Sequence, residues 1–216
     1  MTGNERDSVE EALLETLTRS RVLPLLDVRG RAGVDRVAEV LVEEGLPVIE
    51  VTLRRPGAAD ALRALADNHE LLVGAGTVMT ARQAGEAVEA GARFLVSPGH
   101  SPAVAAEAAR LSVPLIPGVA TATELMAALD DGARTVKFFP AEASGGPAAI
   151  RALSAVAPDV RWVPTGGVTP ANAREYLDID VVAAVGGSWV TPRALVEEGC
   201  FDAIAELVRG AVGLRA

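Results

Sequence analysis

Two charged residues stand inside apolar segments where charge is costly. Lys137 lies in Thr-Val-Lys-Phe-Phe-Pro (135–140), and Glu50 in Pro-Val-Ile-Glu-Val-Thr-Leu (47–53). In a strand, side chains alternate, so Lys137 shares a face with Thr135 and Phe139, and Glu50 with Val48 and Thr52. Burial disfavours a charged ammonium, and a neutral amine attacks carbonyls and forms Schiff bases. A carboxylate across from it would serve as the acid/base partner. The alternatives are a lysine that snorkels out of the strand end and a purely structural ion pair. Lys137 is also the only lysine among 20 Lys and Arg residues. Arginine can replace a lysine that only carries charge, but not an amine that must lose its proton.

Further candidates follow other apolar runs. Arg54, just after the Glu50 segment, is suited to gripping a carboxylate. Thr77 ends Val-Gly-Ala-Gly-Thr, where Gly74 and Gly76 allow a close backbone approach; its hydroxyl would bind a ligand or cap the next helix. Pro-Thr-Gly-Gly (164–167) and Val-Gly-Gly-Ser (185–188) form a pair of glycine-rich elements in register. Thr165, Gly166, Gly167, Gly187 and Ser188 would hold a phosphate there through backbone N–H groups. Asp27, at the end of the first run, faces inward in the same reading. His100 carries no assigned role, and Cys200 reads as a packing residue.

Eight short apolar runs have to position these residues. They are Val22–Val28, Pro47–Leu53, Leu71–Gly76, Phe94–Pro98, Pro114–Val119, Thr135–Pro140, Arg161–Gly167 and Val181–Ser188, starting 20 to 26 residues apart. Segments of helical period lie between them, among them Val34–Glu44, Ala81–Ala90 and Ala122–Asp130. A further helix is expected at Ser8–Arg19 ahead of the first strand, and another at Phe201–Val212. The pattern predicts an α/β fold, a (β/α)8 TIM barrel with an extra N-terminal helix. The rival, a doubly wound sheet, lacks its glycine fingerprint after the first strand. The candidates fall inside or just after the runs, and barrels of this kind carry their chemistry at the C-terminal ends of the strands and in the loops that follow. No linker divides residues 1–216, which read as one domain with residues 1–7 flexible.

Composition narrows the partners. Half of the 216 residues are hydrophobic, which excludes intrinsic disorder, and aromatics are only 3%, so Val, Leu, Ile and Ala must build the core. The net charge of −9 and the absence of a basic run exclude a nucleic-acid surface. An anionic ligand must therefore be held by a local site. One cysteine excludes an internal disulfide and a cysteine-rich zinc site, and His69 and His100 lack metal-ligand spacing. No membrane span or signal segment is read, and the expected location is the cytoplasm.

In order along the chain stand Glu-Val-Thr-Leu-Arg (50–54), Gly-Ala-Gly-Thr (74–77), Ser-Pro-Gly (97–99), Ile-Pro-Gly-Val-Ala-Thr (116–121), Lys-Phe-Phe-Pro-Ala-Glu (137–142), Pro-Thr-Gly-Gly-Val (164–168) and Gly-Gly-Ser-Trp (186–189). From about residue 10 to the end, the chain closely resembles the bacterial class I aldolases. These act on 2-keto-3-deoxy-6-phosphogluconate (KDPG) and 4-hydroxy-2-oxoglutarate (KHG). The resemblance implies a homotrimeric TIM barrel and metal-free lyase chemistry with no cofactor. It also implies a small 2-keto acid substrate, with Lys137 as the Schiff-base lysine and Glu50 as the acid/base. Arg54 and Thr77 would bind the substrate carboxylate, and Gly166, Gly167 and Ser188, with neighbouring backbone, the phosphate. The galactonate epimer is the nearest alternative substrate. A phosphosugar isomerase or epimerase on the same barrel is the alternative of another class. The first strand departs from the family pattern in ending at Asp27, where some relatives carry a basic residue. Arg55 and His100 occupy loop positions that bear on substrate preference.

Overall fold

Parallel strands covered on both faces need near-continuous apolar sequence, and the eight apolar runs supply it. In the computed structural model, which describes residues 3–215 and the side chains from Ser8 onward, those runs become short parallel strands alternating with helices. Along the chain they are α1 (Gly3–Ser20), β1 (Val22–Leu26), α2 (Val34–Glu43), β2 (Val48–Thr52), α3 (Ala58–Ala66), β3 (Leu72–Gly76), α4 (Ala81–Glu89), β4 (Phe94–Val96), α5 (Pro102–Leu111), β5 (Leu115–Ile116) and β6 (Gly118–Val119). Then follow α6 (Ala122–Asp130), β7 (Thr135–Phe138), α7 (Gly146–Ser154), β8 (Arg161–Pro164), α8 (Ala173–Leu177), β9 (Val185–Gly187), α9 (Arg193–Glu197) and α10 (Phe201–Val212). The flexibility expected of residues 1–7 falls outside the described residues at positions 1 and 2, and in the side chains of 3–7.

All strand pairs are parallel. One sheet runs in the order β5-β4-β3-β2-β1-β9 and the other β6-β7-β8. The register couples Leu25 to Glu50, Glu50 to Gly74, Thr52 to Gly76, and Lys137 to both Gly118 and Val163. Single bridges, Trp162 to Val182 and Thr165 to Gly186, join the β8 side to the β9 segment. The sheets therefore curl towards each other at both ends.

The expected fifth strand, Pro114–Val119, is broken in two. Pro117 has no N–H to give a ladder, so β5 pairs with β4 and β6 with β7 on either side of it. Its carbonyl still accepts from Lys137 N at 2.9 Å, which ties the lysine strand to the break. The last run is also shorter than expected, with only Val185–Gly187 in strand form.

The core is aliphatic, as the low aromatic content requires. Every residue of β1, β2 and β7 is buried. Trp162 and Phe138, the largest buried side chains of the β7–β8 pair, meet edge to face with centroids 6.0 Å apart. Helices cover the outside through stripes such as Val34, Val37, Ala38 and Leu41 on α2, the i, i+3, i+4, i+7 pattern of an amphipathic helix. α6 starts with a full capping box. Thr121 Oγ1 accepts from Glu124 N, the Glu124 carboxylate accepts from Thr121 N, and a further bond from Ala120 N helps hold that carboxyl below the usual carboxylate range.

Candidate active site

β7 turns Lys137 to the inside while Val136 and Phe138 pack outward. Lys137 is 3% exposed and Glu50 0%. Lys137 Nζ donates to Glu50 Oε1 at 3.1 Å and to Oε2 at 3.4 Å. Two charges taken out of water must satisfy each other, and this pair does so with both carboxylate oxygens on the amine. The Phe139 ring lies 5.6 Å from Nζ and adds an aromatic face to the cation.

The close approach expected at the glycines beside Glu50 is made by other side chains of the protein. Gly76 is the register partner of Thr52, and a Cβ there would come within 2.0 Å of Glu50 Oε1. A Cβ on Gly74 would meet the Phe94 ring at 2.3 Å. These positions make room for the carboxylate and for a core ring. Thr77 follows with a φ of 61°, a left-handed conformation that is rare for a β-branched residue. It does not cap α4, since that cap is Thr80, whose side chain accepts from Gln83 N. Thr77 Oγ1 instead accepts from Arg54 Nε at 3.1 Å, leaving the terminal nitrogens of Arg54 available.

A cavity of about 190 Å³ opens beside these residues. Arg54 lines one part of it; Thr165, Gly166, Gly167, Gly187 and Ser188 line the rest, together with Phe139 and Asp27. Lys137, Glu50 and Thr77 are not in its wall. Phe139 adjoins both the cavity and the amine. Gly166 and Gly167 have φ of 97° and 82°, conformations open to glycine at little cost. Close packing adds a second reason for glycine, since a Cβ on Gly187 would fall 1.6 Å from the Trp189 ring.

Two side chains that support this loop were given no role by the sequence, although Glu142 ends the Lys-Phe-Phe-Pro-Ala-Glu motif. Tyr176, on α8, donates its hydroxyl to Glu142, 34 positions away. Glu142 packs against Gly167, where a Cβ would meet its Cγ at 2.4 Å, and its N–H donates to Gly166 O. Burial, then the bond to the Glu142 carboxylate, pushes the Tyr176 phenol well above its ordinary range. Arg55, neighbour of Arg54, pairs with Asp27 at 2.8 Å. His100 lies outside the cavity. Its ring is buried, with Nε2 2.9 Å from Asp131 Oδ2 but without hydrogen-bond alignment. Cys200, expected to be a packing residue, is exposed and does not line the cavity. Among the described residues, no three His, Cys, Asp or Glu side chains converge to hold a metal ion.

A curled parallel α/β sheet with a buried lysine–carboxylate pair beside a glycine-lined cavity fits one class of protein, the Schiff-base lyases. The sequence profile of the KDPG and KHG aldolase family matches residues 13–207, and the chain belongs to that family. The KHG/KDPG aldolase of Escherichia coli K12 is 44% identical over 197 residues, 91% of this chain and 92% of that protein. The KDPG aldolase of Legionella pneumophila, solved with pyruvate captured as a covalent carbinolamine, is 40% identical. It superposes with a TM-score of 0.88 over 92% of this chain and 97% of its own. The KDPG aldolase of Zymomonas mobilis ZM4, solved with 3-phosphoglycerate, is 39% identical with a TM-score of 0.85, covering 93% of this chain and 95% of its own.

Proposed function

We propose that this chain is a class I aldolase that cleaves KDPG to pyruvate and glyceraldehyde 3-phosphate, and KHG to pyruvate and glyoxylate. The observation that carries the reading is the buried contact of 3.1 Å between Lys137 Nζ and Glu50 Oε1. Glu50 can take the ammonium proton, which frees the Lys137 lone pair to attack the C2 ketone of the substrate. The carbinolamine then loses water with a proton supplied by Glu50. The protonated imine draws the electrons of the C3–C4 bond as Glu50 accepts the C4 hydroxyl proton, and the aldehyde leaves. The enamine is protonated at C3 and hydrolysed, which releases pyruvate and restores the amine. Proton transfer of this kind contributes about 10²–10⁴ in rate.

In the same reading Arg54, braced by Thr77, holds the substrate carboxylate. Thr165, Gly166, Gly167, Gly187 and Ser188 hold the phosphate with backbone donors. The carbinolamine of the Legionella relative and the phosphate-bearing ligand of the Zymomonas relative support these assignments. The proposal extends to a closed eight-stranded barrel formed by one domain, which the bridges at Trp162 and Thr165 favour. It includes a homotrimer, as the family resemblance implies. It also includes a cytoplasmic location, in keeping with the lack of any helix among the described residues long and apolar enough to cross a membrane.

The test is to incubate the protein with pyruvate, reduce with borohydride and weigh it. One adduct is expected, mapping to Lys137, since the chain has no other lysine. No adduct, or one confined to the α-amino group, overturns the imine mechanism. Sedimentation at equilibrium tests the trimer.

A further inference from the structure

The cavity contains one acidic side chain that the imine chemistry leaves without work. Asp27 follows directly on β1. Leu25 is the register partner of Glu50, so Leu25 and, two residues on, Asp27 share the inward face that carries Glu50 and Thr52. Both Leu25 and Asp27 line the cavity. Asp27 Oδ1 accepts from Arg55 Nε at 2.8 Å, and the side chains are 28% and 30% exposed. Among the described residues, Oδ2 accepts no hydrogen bond, and no ion pair links Asp27 to Arg54.

The place of β1 in the sheet says what Asp27 can meet. It lies between β9, which leads into Gly187 and Ser188, and β2, which leads into Arg54. A substrate stretched from a carboxylate at Arg54 to a phosphate at the glycines passes β1 with its middle carbons. A carboxylate repels either anionic end at close range, so it can hold only an uncharged donor. The C4 hydroxyl is already engaged by Glu50, which leaves the hydroxyl on C5.

We propose that Asp27 determines specificity in this cavity: Oδ2 accepts a hydrogen bond from the C5 hydroxyl of the phosphorylated substrate, while Arg55 positions the carboxylate. The proposal rests on the aldolase reading of the same site. It also ranks the substrates. KHG carries a carboxylate at C5, which Asp27 repels, so the phosphorylated keto acid is preferred.

The experiment runs the reaction towards condensation, joining pyruvate to D-glyceraldehyde 3-phosphate or to its 2-deoxy analogue, 3-phosphooxypropanal. The analogue lacks only the hydroxyl that becomes the one on C5. The ratio of kcat/KM for the two aldehydes is expected to favour the hydroxylated one by about tenfold or more, the usual scale for a hydrogen bond to a charged group. Asp27→Ala brings the ratio close to one and raises kcat/KM for glyoxylate. Asp27→Asn, which keeps an acceptor but no charge, falls between. Arg55→Ala lowers the ratio through KM, with kcat little altered. If Asp27→Ala forms the Lys137–pyruvate adduct yet keeps the original ratio, the proposal is overturned and the aldolase reading stands. If Asp27→Ala does not fold, a ratio in the isosteric Asp27→Asn equal to that of the unsubstituted chain overturns it equally. Absence of the pyruvate adduct in the unsubstituted chain overturns both.

Discussion

In the proposed reading, the two ends of the cavity hold anions by different means. At the β2–β3 end the donor is a side chain: Arg54, whose Nε is tied to Thr77, itself held at positive φ. At the β8–β9 end the proposed donors are backbone N–H groups on glycines, packed so closely that a Cβ on Gly187 would overlap Trp189 and one on Gly167 would overlap Glu142. The first end brings a full positive charge in a fixed fork. The second brings partial charges pre-set by the turn and needs no cation, which suits a chain with a net charge of −9. A side-chain site is therefore lost by changing its chemistry, and a backbone site by adding bulk.

Pyruvate separates the two ends, because it carries a carboxylate and a ketone but no phosphate. Its imine formation reports on the Arg54 end alone, whereas turnover of the phosphorylated substrate reports on both. The largest effect should come from Lys137→Arg, which keeps the charge and removes the nucleophile. Turnover is expected to fall by roughly 10⁴-fold or more on every substrate, the scale seen when a covalent nucleophile is lost, and the borohydride adduct should vanish. Appreciable residual turnover would make the lysine structural. Next comes Gly76→Ala, whose methyl would displace the Glu50 carboxylate. A loss of about 10²–10⁴-fold in kcat is expected, as for a removed acid/base, read in single turnovers.

Smaller effects should divide by end. Gly187→Ala forces the Trp189 ring to move. It is expected to lower kcat/KM on the phosphorylated substrate by about 10²-fold, the cost of a misplacement near 1 Å, while pyruvate imine formation continues at its original rate. Arg54→Lys should do the reverse, slowing imine formation by about tenfold to a hundredfold, since an ammonium cannot reproduce the fork. If both variants slow the pyruvate reaction alike, the two ends are not separate. Tyr176→Phe should have the mildest effect, a severalfold rise in KM for the phosphorylated substrate through a loosened Glu142 and Gly167.

Tyr176 is also the only tyrosine, so its phenol can be followed by absorbance. Burial and the Glu142 carboxylate both oppose the phenolate, so the folded chain should resist ionisation past the ordinary value near pH 10. The sign for stability follows. The unfolded chain loses this proton first, so stability falls as pH rises above about 10. Glu142→Gln should bring the folded titration back towards the ordinary range.

Much of the site was legible in single segments. Lys137 and Glu50 stood out because each is a lone charge in an apolar run, and strand alternation alone turned both inward. The paired glycine elements were legible by their positions after the last two runs. Other features were not. Gly74 and Gly76 read as positions of close approach, but the neighbours that come close, the Phe94 ring and the Glu50 carboxylate, come from other strands. Thr77 offered two readings, and only the placement of Thr80 at the start of α4 removed one of them. Tyr176 and Glu142 belong to no shared local pattern, and nothing in either segment announced the contact. Pro117 lay in plain view inside an expected strand, yet its consequence, a strand in two halves serving two sheets, depends on which neighbours need its missing N–H.

What the sequence determined by itself is the alternation of elements and the inward direction of each charged side chain. Periodicity and the cost of burying charge are local properties, and they act on any chain with this pattern. What only the tertiary structure decided is who meets whom. Glu50 and Lys137 are 87 positions apart, and hydrogen-bond distance between them exists only because the sheet curls. The same fold sets Asp27 in the cavity wall and gives it Arg55 rather than Arg54 as partner. A charge can be placed on a face by its neighbours in sequence, but the field it feels is set by groups that arrive from elsewhere in the chain.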